Sequence, residues 1–370
     1  MKNKILLIFV IINFIPAIIF SQAINKPKLD SLFNTLAEKN KAMGCIILSK
    51  NGNIIYNKAF GYSFIRGNEK KLNTDVTKFK IGSITKMFTA TMIFQLIEER
   101  RIELTTTLDT YFPNIPNSKQ ITISNMLNHR SGIQNITDKN FELKPKTHDE
   151  ILAFIYNSKS DFNPNEKASY SNTNYIILGY IIEKITNESY SNNLEKRITS
   201  KIGLSNTYLA GKTNIANNES FSYFYNGIWN HVNETDMSIP GGAGAIVSTP
   251  KDLTKFIEAL FSLKLVSQGS LNLMRTIIDG FGMAMFQLPF DTKTCLGHDG
   301  GIFGFASDVS YITEDSLAIA YCSNGQDFSF KDIFYGVLKI YFNKEYSIPN
   351  FNPVFNIKSL INFPPEINNK

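Results

Sequence analysis

The chain has little cysteine, histidine and tryptophan: its 370 residues include three cysteines, four histidines and one tryptophan. An odd number of cysteines without a Cys-x-x-Cys pair excludes a disulfide framework and a zinc-finger type of site. No histidine belongs to a His-Glu-x-x-His pattern, so the sequence predicts no metal ion. An oxidising compartment would permit one disulfide among Cys45, Cys295 and Cys322. However, Cys45 and Cys322 stand in apolar, strand-like runs, where we expect small buried residues.

Excess charge of one sign is also small. The formal net charge is +6, of which Lys2 and Lys4 contribute two, and no dense run of lysine or arginine is present. This balance argues against nucleic acid as a partner. The hydrophobic fraction of 43% and the charged fraction of 19% are typical of a folded globular protein. The length suits one large domain or two closely joined ones.

A long hydrophobic run occurs only at the N-terminus. Lys2 and Lys4 precede the apolar run ILLIFVIINFIPAIIF, and Ser21 and Ala23 offer small residues for cleavage. This pattern predicts a signal peptide over residues 1–23, and therefore export to the periplasm or secretion. The alternative is a membrane anchor, but the run is short for a span and is interrupted by asparagine and proline. We expect no stable membrane span after the signal is removed.

Hydrophobic periodicity and turn signals predict strands near both ends of the chain and helices between them. Asn51-Gly52 separates two β-rich runs and indicates a hairpin. Strand-like runs return near 282–288, 301–312 and 316–323. Helices are predicted at 28–40, 84–99, 121–128, 148–158, 173–186, 191–201 and 329–343.

This order of elements predicts an α+β fold, an α/β sandwich. We expect an antiparallel β-sheet built from both chain ends and flanked by helices, with a mostly helical region inserted. One domain would span residues 24–345, with its α/β part at about 24–85 and 240–345 and its helical region at about 86–239. Residues 346–370 are rich in proline and predict a tail with little structure of its own.

The stretch KIGSITKMFTA places a serine and a lysine one helical turn apart. Residues three positions apart share a helix face, so Lys86 can reach Ser83. A serine becomes a nucleophile when a base takes its proton, and a lysine with a lowered pKa can be that base. The start of a helix also offers unpaired N–H groups that favour an oxyanion. Alternatively, Ser83 is a helix cap.

A second Ser-x-x-Lys pattern, STPK at 248–251, shows that the spacing alone decides nothing. Here Thr249 suits an N-cap, Pro250 suits the first helical turn, and Asp252 has the favourable acidic position. We therefore expect a helix start at this segment and no nucleophile.

Two other segments carry polar residues beside apolar runs. In KASYSNTNYIILGYIIEK, Tyr170 and Asn172 stand just before an apolar helix, although these polar residues could simply start it. In LGHDGGIFGFASDVSYI, His298 precedes glycines that allow close backbone approach along a strand. The alternative there is a turn between two strands, with an incidental histidine.

Taken together, these segments resemble the serine β-lactamase and penicillin-binding-protein superfamily. The most similar branch contains class C β-lactamases, D-Ala-D-Ala carboxypeptidases and carboxylesterase-like proteins. Its three motifs are matched in order by Ser83-x-x-Lys86, Tyr170-Ser171-Asn172 and His298-Asp299-Gly300. The segments LNHRSGI and PGGAGAIVSTPKDLTKF are also similar to recurring family segments. The similarity extends from about residue 28 to about residue 342.

The resemblance implies a serine hydrolase that works through an acyl-enzyme. Ser83 would be the nucleophile, and Lys86 and Tyr170 would share proton transfer, with either one as the base. The oxyanion hole would be the backbone N–H groups of Ser83 and Gly301. The residues implied in substrate binding are Asn172, His298, Asp299 and Gly300.

The resemblance assigns supporting roles as well. Asn172 would also orient Lys86, and His298 would line the opposite wall of the site or assist proton transfer. The residues expected to be structural supports are Asn128, His129 and Ser131. No metal or organic cofactor is implied.

The third motif departs from the Lys-Thr-Gly of many β-lactamases. A neutral His298 attracts a carboxylate less than lysine does, and an ionised Asp299 could repel one if its side chain faces the site. The alternative is that Asp299 points away. We therefore expect a small ester, amide or peptide substrate, uncharged or bearing an amine, rather than efficient β-lactam turnover.

Two uncertainties about function follow from the sequence. The loops at 131–165 and 205–240 would shape the leaving-group side, and YFYNGIW at 223–229 is either an aromatic wall or a packed hairpin. The alternative to an enzyme is a catalytically silent family member that binds cell-wall fragments or a partner. Loss of a motif residue would have favoured that alternative, and no such loss is seen.

Overall fold

A computed structural model describes residues 24–136, 144–234 and 236–351. The predicted signal peptide, 1–23, and residues 352–370 of the predicted tail lie outside the described residues. Within the described part, no helix has both the length and the apolar character needed to cross a membrane. The domain boundaries stay a prediction.

In the residues that the structure describes, runs of strands stand near both ends and most of the helices lie between them. The strands are β1 (Ala42–Lys50), β2 (Asn53–Phe60), β3 (Tyr62–Arg66), β4 (Glu69–Leu72), β5 (Phe79–Lys80), β6 (Tyr208–Leu209), β7 (Tyr223–Tyr225), β8 (Trp229–His231), β9 (Ile246–Ser248), β10 (Phe286–Phe290), β11 (Lys293–Ile302), β12 (Phe305–Ile312) and β13 (Leu317–Gln326). The helices are α1 (Lys26–Glu38), α2 (Thr85–Glu98), α3 (Ile123–Leu127), α4 (His148–Tyr156), α5 (Asn172–Thr186), α6 (Tyr190–Leu194), α7 (Ser200–Ile202), α8 (Gly241–Gly244), α9 (Pro250–Phe261), α10 (Gln268–Arg275) and α11 (Phe330–Tyr341).

An antiparallel sheet built from both chain ends confirms the predicted α+β fold. Its strand order is β10-β11-β12-β13-β1-β2, so a strand from the C-terminal part pairs with one from the N-terminal part. The β1–β2 hairpin turns at Asn51-Gly52, where both φ angles are positive, as a type I′ turn requires. The YFYNGIW segment forms the β7–β8 hairpin beside the end of β13, which fits the packed-hairpin interpretation.

Helices cover both faces of this sheet. On one face, α1 and α11 bury an apolar cluster that includes Phe33, Tyr321 and Phe334. On the other face, a larger cluster joins the sheet to α2, α9 and the helical region, with Phe88 stacked on Phe256 at 3.8 Å between ring centroids. The first three turns of α2 are buried on every side. A polar residue near the start of α2 therefore lies in the interior.

Several local predictions can be compared with the structure. Thr249 caps α9 by accepting a hydrogen bond from the N–H of Asp252 at 3.2 Å, so the cap interpretation of STPK is confirmed. The cysteines are buried and unbridged, with Cys45 opposite Cys322 on paired strands. The helix predicted at 191–201 is divided, because a π-helical turn separates α6 from α7.

The third motif occupies a different place in the sheet from the one predicted. The strands predicted at 282–288 and 301–312 are wrong in their limits, because β11 contains the whole His298-Asp299-Gly300 motif. The prediction that the glycines of this segment allow close backbone approach along a strand is confirmed. A Cβ on Gly300 would lie 2.0 Å from the carbonyl oxygen of Ile81, just before α2.

Candidate active site

Ser83 is presented by a tight backbone turn before α2. Gly82 has a φ of 51°, and a Cβ on it would lie 3.0 Å from backbone atoms of Gly301. The Ser307 hydroxyl donates a hydrogen bond to the carbonyl of Ile81 at 2.8 Å and ties this turn to the sheet. Glycine is therefore needed for both conformation and close approach. Ser83 is half-buried and makes no capping hydrogen bond, in contrast to the cap interpretation.

The amine of Lys86 lies in the interior and makes contacts in three directions. It is 2.8 Å from each of Ser83 Oγ, Asn172 Oδ1 and the carbonyl oxygen of Ala243. Burial lowers the pKa of Lys86 well below its usual 10.5, although the charge of Asp299 partly opposes this. A neutral amine has two N–H donors and one lone pair. Since Asn172 Oδ1 and the Ala243 carbonyl can only accept, the lone pair remains for the Ser83 hydroxyl.

The hydroxyl of Tyr170 contacts the same serine from another direction. It donates a hydrogen bond to Ser83 Oγ at 2.8 Å, and the residue is half-buried. Burial raises the pKa of Tyr170 above its usual 10, and the hydrogen bond with Ser83 offsets only part of this rise. The phenol is therefore protonated at neutral pH and acts as a donor. Ser83 can accept from Tyr170 while it donates to Lys86.

His129 lies under Tyr170 and holds its backbone. Their ring centroids are 4.5 Å apart, the N–H of Ser171 donates to His129 Nδ1 at 3.2 Å, and the N–H of Ser169 donates to the His129 carbonyl at 2.9 Å. Burial lowers the pKa of His129 well below its usual 6.5, so the ring is neutral. This placement fits the expected supporting role.

The other expected supports lie on the same side of the site. Asn128 ends α3, and the Ser131 hydroxyl donates to Asn174 Oδ1 on α5 at 2.6 Å. Asn135 was missed by the sequence analysis. Its Oδ1 accepts a hydrogen bond from the N–H of Asn172 at 2.8 Å, at the start of α5. Its position just after LNHRSGI was the available signal.

The third motif divides between the two faces of β11. Successive side chains alternate along a strand, so His298 and Gly300 face the start of α2 while Asp299 faces the other way. The Asp299 side chain is 65% exposed. Its Oδ1 nevertheless lies 3.7 Å from His298 Nδ1, so the carboxylate stays near the site. Direct contact between Asp299 and a substrate stays a prediction.

His298 is buried beside Tyr170. Its Nδ1 contacts the backbone carbonyl of Asp299, while its Nε2 has no hydrogen-bond partner. Burial lowers the pKa of His298 to about 4, so the ring is neutral near pH 7. The ring of Phe286, another residue missed from the sequence, packs 4.6 Å from it. A neutral imidazole here provides no positive charge for a substrate carboxylate.

Residues of all three sequence motifs therefore meet at one place. The turn before α2 brings Gly82, the residue before Ser83, against the backbone of Gly301 on β11. The oxyanion hole formed by the N–H groups of Ser83 and Gly301 stays a prediction. Across the described ranges, no group of three or more histidine, cysteine, aspartate or glutamate side chains is arranged to hold a metal ion.

An α+β sandwich with a serine at the start of a buried helix, in contact with a lysine and a tyrosine, defines the β-lactamase and transpeptidase-like superfamily. The family model described as Beta-lactamase matches residues 29–341. The chain therefore belongs to the β-lactamase family, and it is a serine hydrolase of that family.

Relatives with named activities agree with this assignment. Penicillin-binding protein 4* of Bacillus subtilis (strain 168) is 27% identical over 334 residues, covering 82% of this chain and 73% of that protein. Teichoic acid D-alanine hydrolase of Staphylococcus aureus (strain MRSA252) is 27% identical over 326 residues, covering 86% and 77%. The structure of D-amino acid amidase from Ochrobactrum anthropi SV3 with L-phenylalanine amide matches with a TM-score of 0.74 at 25% identity, covering 86% and 98%.

Proposed function

We propose that this chain is an exported hydrolase that cleaves ester or amide bonds through an acyl-enzyme on Ser83. One observation carries the proposal: Ser83 Oγ lies 2.8 Å from both the amine of Lys86 and the hydroxyl of Tyr170. A serine with a base on one side and a proton donor on the other is arranged for nucleophilic attack.

The mechanism begins with nucleophilic attack by Ser83, which is coupled to a proton transfer. Lys86 takes the Ser83 proton on its lone pair while Oγ bonds to the substrate carbonyl carbon. The carbonyl oxygen becomes an oxyanion, which the N–H groups of Ser83 and Gly301 stabilise. When the bond to the leaving group breaks, Tyr170 supplies the leaving atom with a proton, and the proton held by Lys86 replaces it. Water then releases the acyl group by the reverse route.

Asn172 completes the binding of substrate and base. Its Oδ1 accepts a hydrogen bond from Lys86, so its Nδ2 is available to donate to the substrate carbonyl on the acyl side. His298 and Gly300 line the opposite side on β11. The family assignment and the contact geometry both support these roles.

We propose D-alanyl esters and D-amino-acid amides as the substrate class. Relatives named for D-alanine hydrolysis and D-amino acid amide hydrolysis support this choice. The neutral His298 supports it too, since a lysine in its place would favour the carboxylate of a β-lactam. Esterase or peptidase activity therefore ranks above efficient β-lactamase activity. Export rests on the apolar N-terminal segment and its basic start.

Intact-mass spectrometry after treatment with a fluorophosphonate tests this proposal. We expect a single adduct, mapped by peptide analysis to Ser83 and missing in the Ser83→Ala protein. Folded protein that takes no adduct would sink the hydrolase proposal. A catalytically silent protein that binds cell-wall fragments or a partner would then be the better account.

A further inference from the structure

Two phenylalanines that the proposed mechanism does not use stand beside the site. Phe281 and Phe286, here called the aromatic wall, lie 6.4 and 6.3 Å from the ring of Tyr170 and 5.6 Å from each other, measured between centroids. Phe286 also packs against His298. Both phenylalanines are only partly buried, so they keep apolar surface exposed next to Tyr170.

One member of the aromatic wall, Phe281, is held in place by a closed turn. The N–H of Ile278 donates to the carbonyl of Phe281 at 3.0 Å, and the N–H of Phe281 donates back at 3.1 Å. Asp279 and Gly280 between them have φ angles of 51° and 86°, the arrangement of a type I′ turn. Asp279 also forms an ion pair with Arg130, the neighbour of His129. Phe281 is therefore fixed to the segment that supports Tyr170, while Phe286 is held at the start of β10.

Two cations near the site, among the residues that the structure describes, form ion pairs. Arg130 is paired with Asp279, and Lys80, three residues before Ser83, is buried in an ion pair with Glu234 at 2.7 Å. The interior position of Lys86 favours its neutral amine. An anionic group placed against the two rings would lose hydration there, whereas an apolar group would gain buried area.

The position of Tyr170 indicates which part of a substrate meets the wall. The amine of Lys86 is enclosed, whereas Tyr170 is partly exposed and contacts Ser83. The leaving atom must therefore receive its proton on the Tyr170 side. Groups attached to that atom extend toward the rings that flank Tyr170.

We infer that the aromatic wall of Phe281 and Phe286 is a leaving-group subsite that selects uncharged, apolar and preferably aromatic leaving groups. This inference rests on the proposed function, because it states on which side of Ser83 the leaving group of the proposed reaction lies. It names a chemical class for the leaving group, which the nucleophile and its partners do not determine.

The test compares D-alanine benzyl ester with D-alanine methyl ester. In the Ser83→Ala protein, which cannot form the acyl-enzyme, calorimetric titration should give a dissociation constant about tenfold lower for the benzyl ester. In protein with Ser83 intact, Phe281→Ala or Phe286→Ala should lower the benzyl-to-methyl ratio of kcat/KM by about tenfold. The intrinsic reactivities of the two esters are the same in every protein, so they cancel when the ratio for a variant is compared with the ratio for the unaltered protein.

Matched variants separate the wall from general damage. Phe224→Ala removes an exposed phenylalanine from the β7–β8 hairpin and should leave the ratio unchanged. Phe286→Leu keeps apolar volume without the ring and should give an intermediate ratio, which covers the case in which Phe286→Ala fails to fold.

The possible outcomes distinguish the two proposals. Tighter benzyl binding by the Ser83→Ala protein, without turnover of either ester by the unaltered protein, would keep the subsite and end the proposed hydrolysis. Equal binding of both esters, or a turnover ratio indifferent to Phe281 and Phe286, would overturn the subsite even if Ser83 is acylated.

Discussion

The carbonyl oxygen of Ala243 lies 2.8 Å from the buried amine of Lys86. The short helix α8 can bring it there because Gly242 has no side chain. A Cβ on Gly242 would lie 2.7 Å from the carbonyl of Tyr175. With Asn172 as the other acceptor, this backbone group occupies the second N–H of a neutral Lys86. The contact therefore directs the lone pair toward Ser83, which gives the base its orientation.

Acylation should depend on the protonation of Lys86. Its pKa is lowered by burial, and only the neutral amine can take a proton. The neutral fraction grows as pH rises through this lowered pKa. The rate at which a fluorophosphonate phosphonylates Ser83, with loss of fluoride, should therefore rise with pH and then level off. His298, with a pKa of about 4, stays neutral throughout the range from pH 5 to pH 9.

Lys86→Met should abolish this rising limb and slow acylation by about 10²–10⁴-fold, the usual contribution of a general base. Stopped-flow measurement of the acylation rate between pH 5 and pH 9 checks both effects. The comparison requires that Lys86→Met show a cooperative thermal unfolding transition. We expect one, because methionine fills most of the volume of the buried lysine side chain. An unchanged pH profile would remove Lys86 from the role of base.

Tyr170→Phe should weaken turnover while leaving the fold intact. The variant keeps the ring that packs on His129 and loses only the hydroxyl that contacts Ser83. We expect kcat for a D-alanyl amide to fall by about 10²–10³-fold, because a poor leaving group needs the proton that Tyr170 supplies.

An activated ester, such as a p-nitrophenyl ester, offers the internal control for Tyr170→Phe. Its leaving group departs without protonation, so its kcat should fall much less than that of the amide. Equal losses for both substrates would mean that Tyr170 acts before the leaving group departs, for example in activating Ser83.

The two Ser-x-x-Lys patterns should respond differently to the same change. Ser248 is buried, and its hydroxyl is hydrogen-bonded to the hydroxyl of Thr207 at 2.8 Å. It precedes Thr249, the N-cap of α9. Ser248→Ala should reduce the free energy of unfolding by about 1 kcal/mol and leave fluorophosphonate labelling intact. Ser83→Ala should remove the label. Chemical denaturation and intact mass measure the two effects, and loss of labelling in a folded Ser248→Ala protein would contradict the assignment.

The sequence predicted those parts of the site that have side-chain signatures. Ser83 and Lys86 share a helix face by their spacing, and Tyr170 stands before an apolar helix, so local pattern and family resemblance together identified them. Ala243 escaped because it contributes a carbonyl oxygen, which every residue has. Phe281 and Phe286 escaped because their relation to Tyr170 arises from the packing of segments more than a hundred residues apart.

The error in the sheet has a physical cause as well. The sequence predicted that glycines allow close backbone approach along a strand here, but it placed the start of that strand at residue 301, after the motif. In the folded chain, Gly300 lies inside β11, and glycine is needed there because a Cβ would lie 2.0 Å from the carbonyl oxygen of Ile81. The need for glycine at this position is set by Ile81, which is distant in the sequence. No local pattern identifies that partner. That the side chains of His298 and Asp299 lie on opposite faces of the sheet could be inferred only once the limits of β11 were known.

Gly300→Ala should therefore damage the site through the backbone. To relieve a 2.0 Å contact, β11 must move away from Ile81, and Gly301 moves with it. We expect a loss of about 1–3 kcal/mol in the free energy of unfolding, and a fall of about 10²–10³-fold in acylation rate from the displaced N–H. A Cβ on Gly301 would meet nothing within 4 Å, so Gly301→Ala should unfold like the original protein. Equal stability of both variants would contradict this account.

Asp279→Asn tests how charge near the aromatic wall affects selectivity. Asparagine tolerates the positive φ at this position, so the type I′ turn should persist while Arg130 loses its anionic partner. An unpaired Arg130 should then attract a carboxylate on the leaving group. We expect the kcat/KM ratio of D-alanine 4-carboxybenzyl ester to D-alanine benzyl ester to rise several-fold at low ionic strength. The gain should shrink as salt is added, because the attraction is partly screened.

A ratio equal to that of the original protein at every salt concentration would show that Arg130 does not reach the leaving group. The Arg130–Asp279 pair would then only fasten the turn.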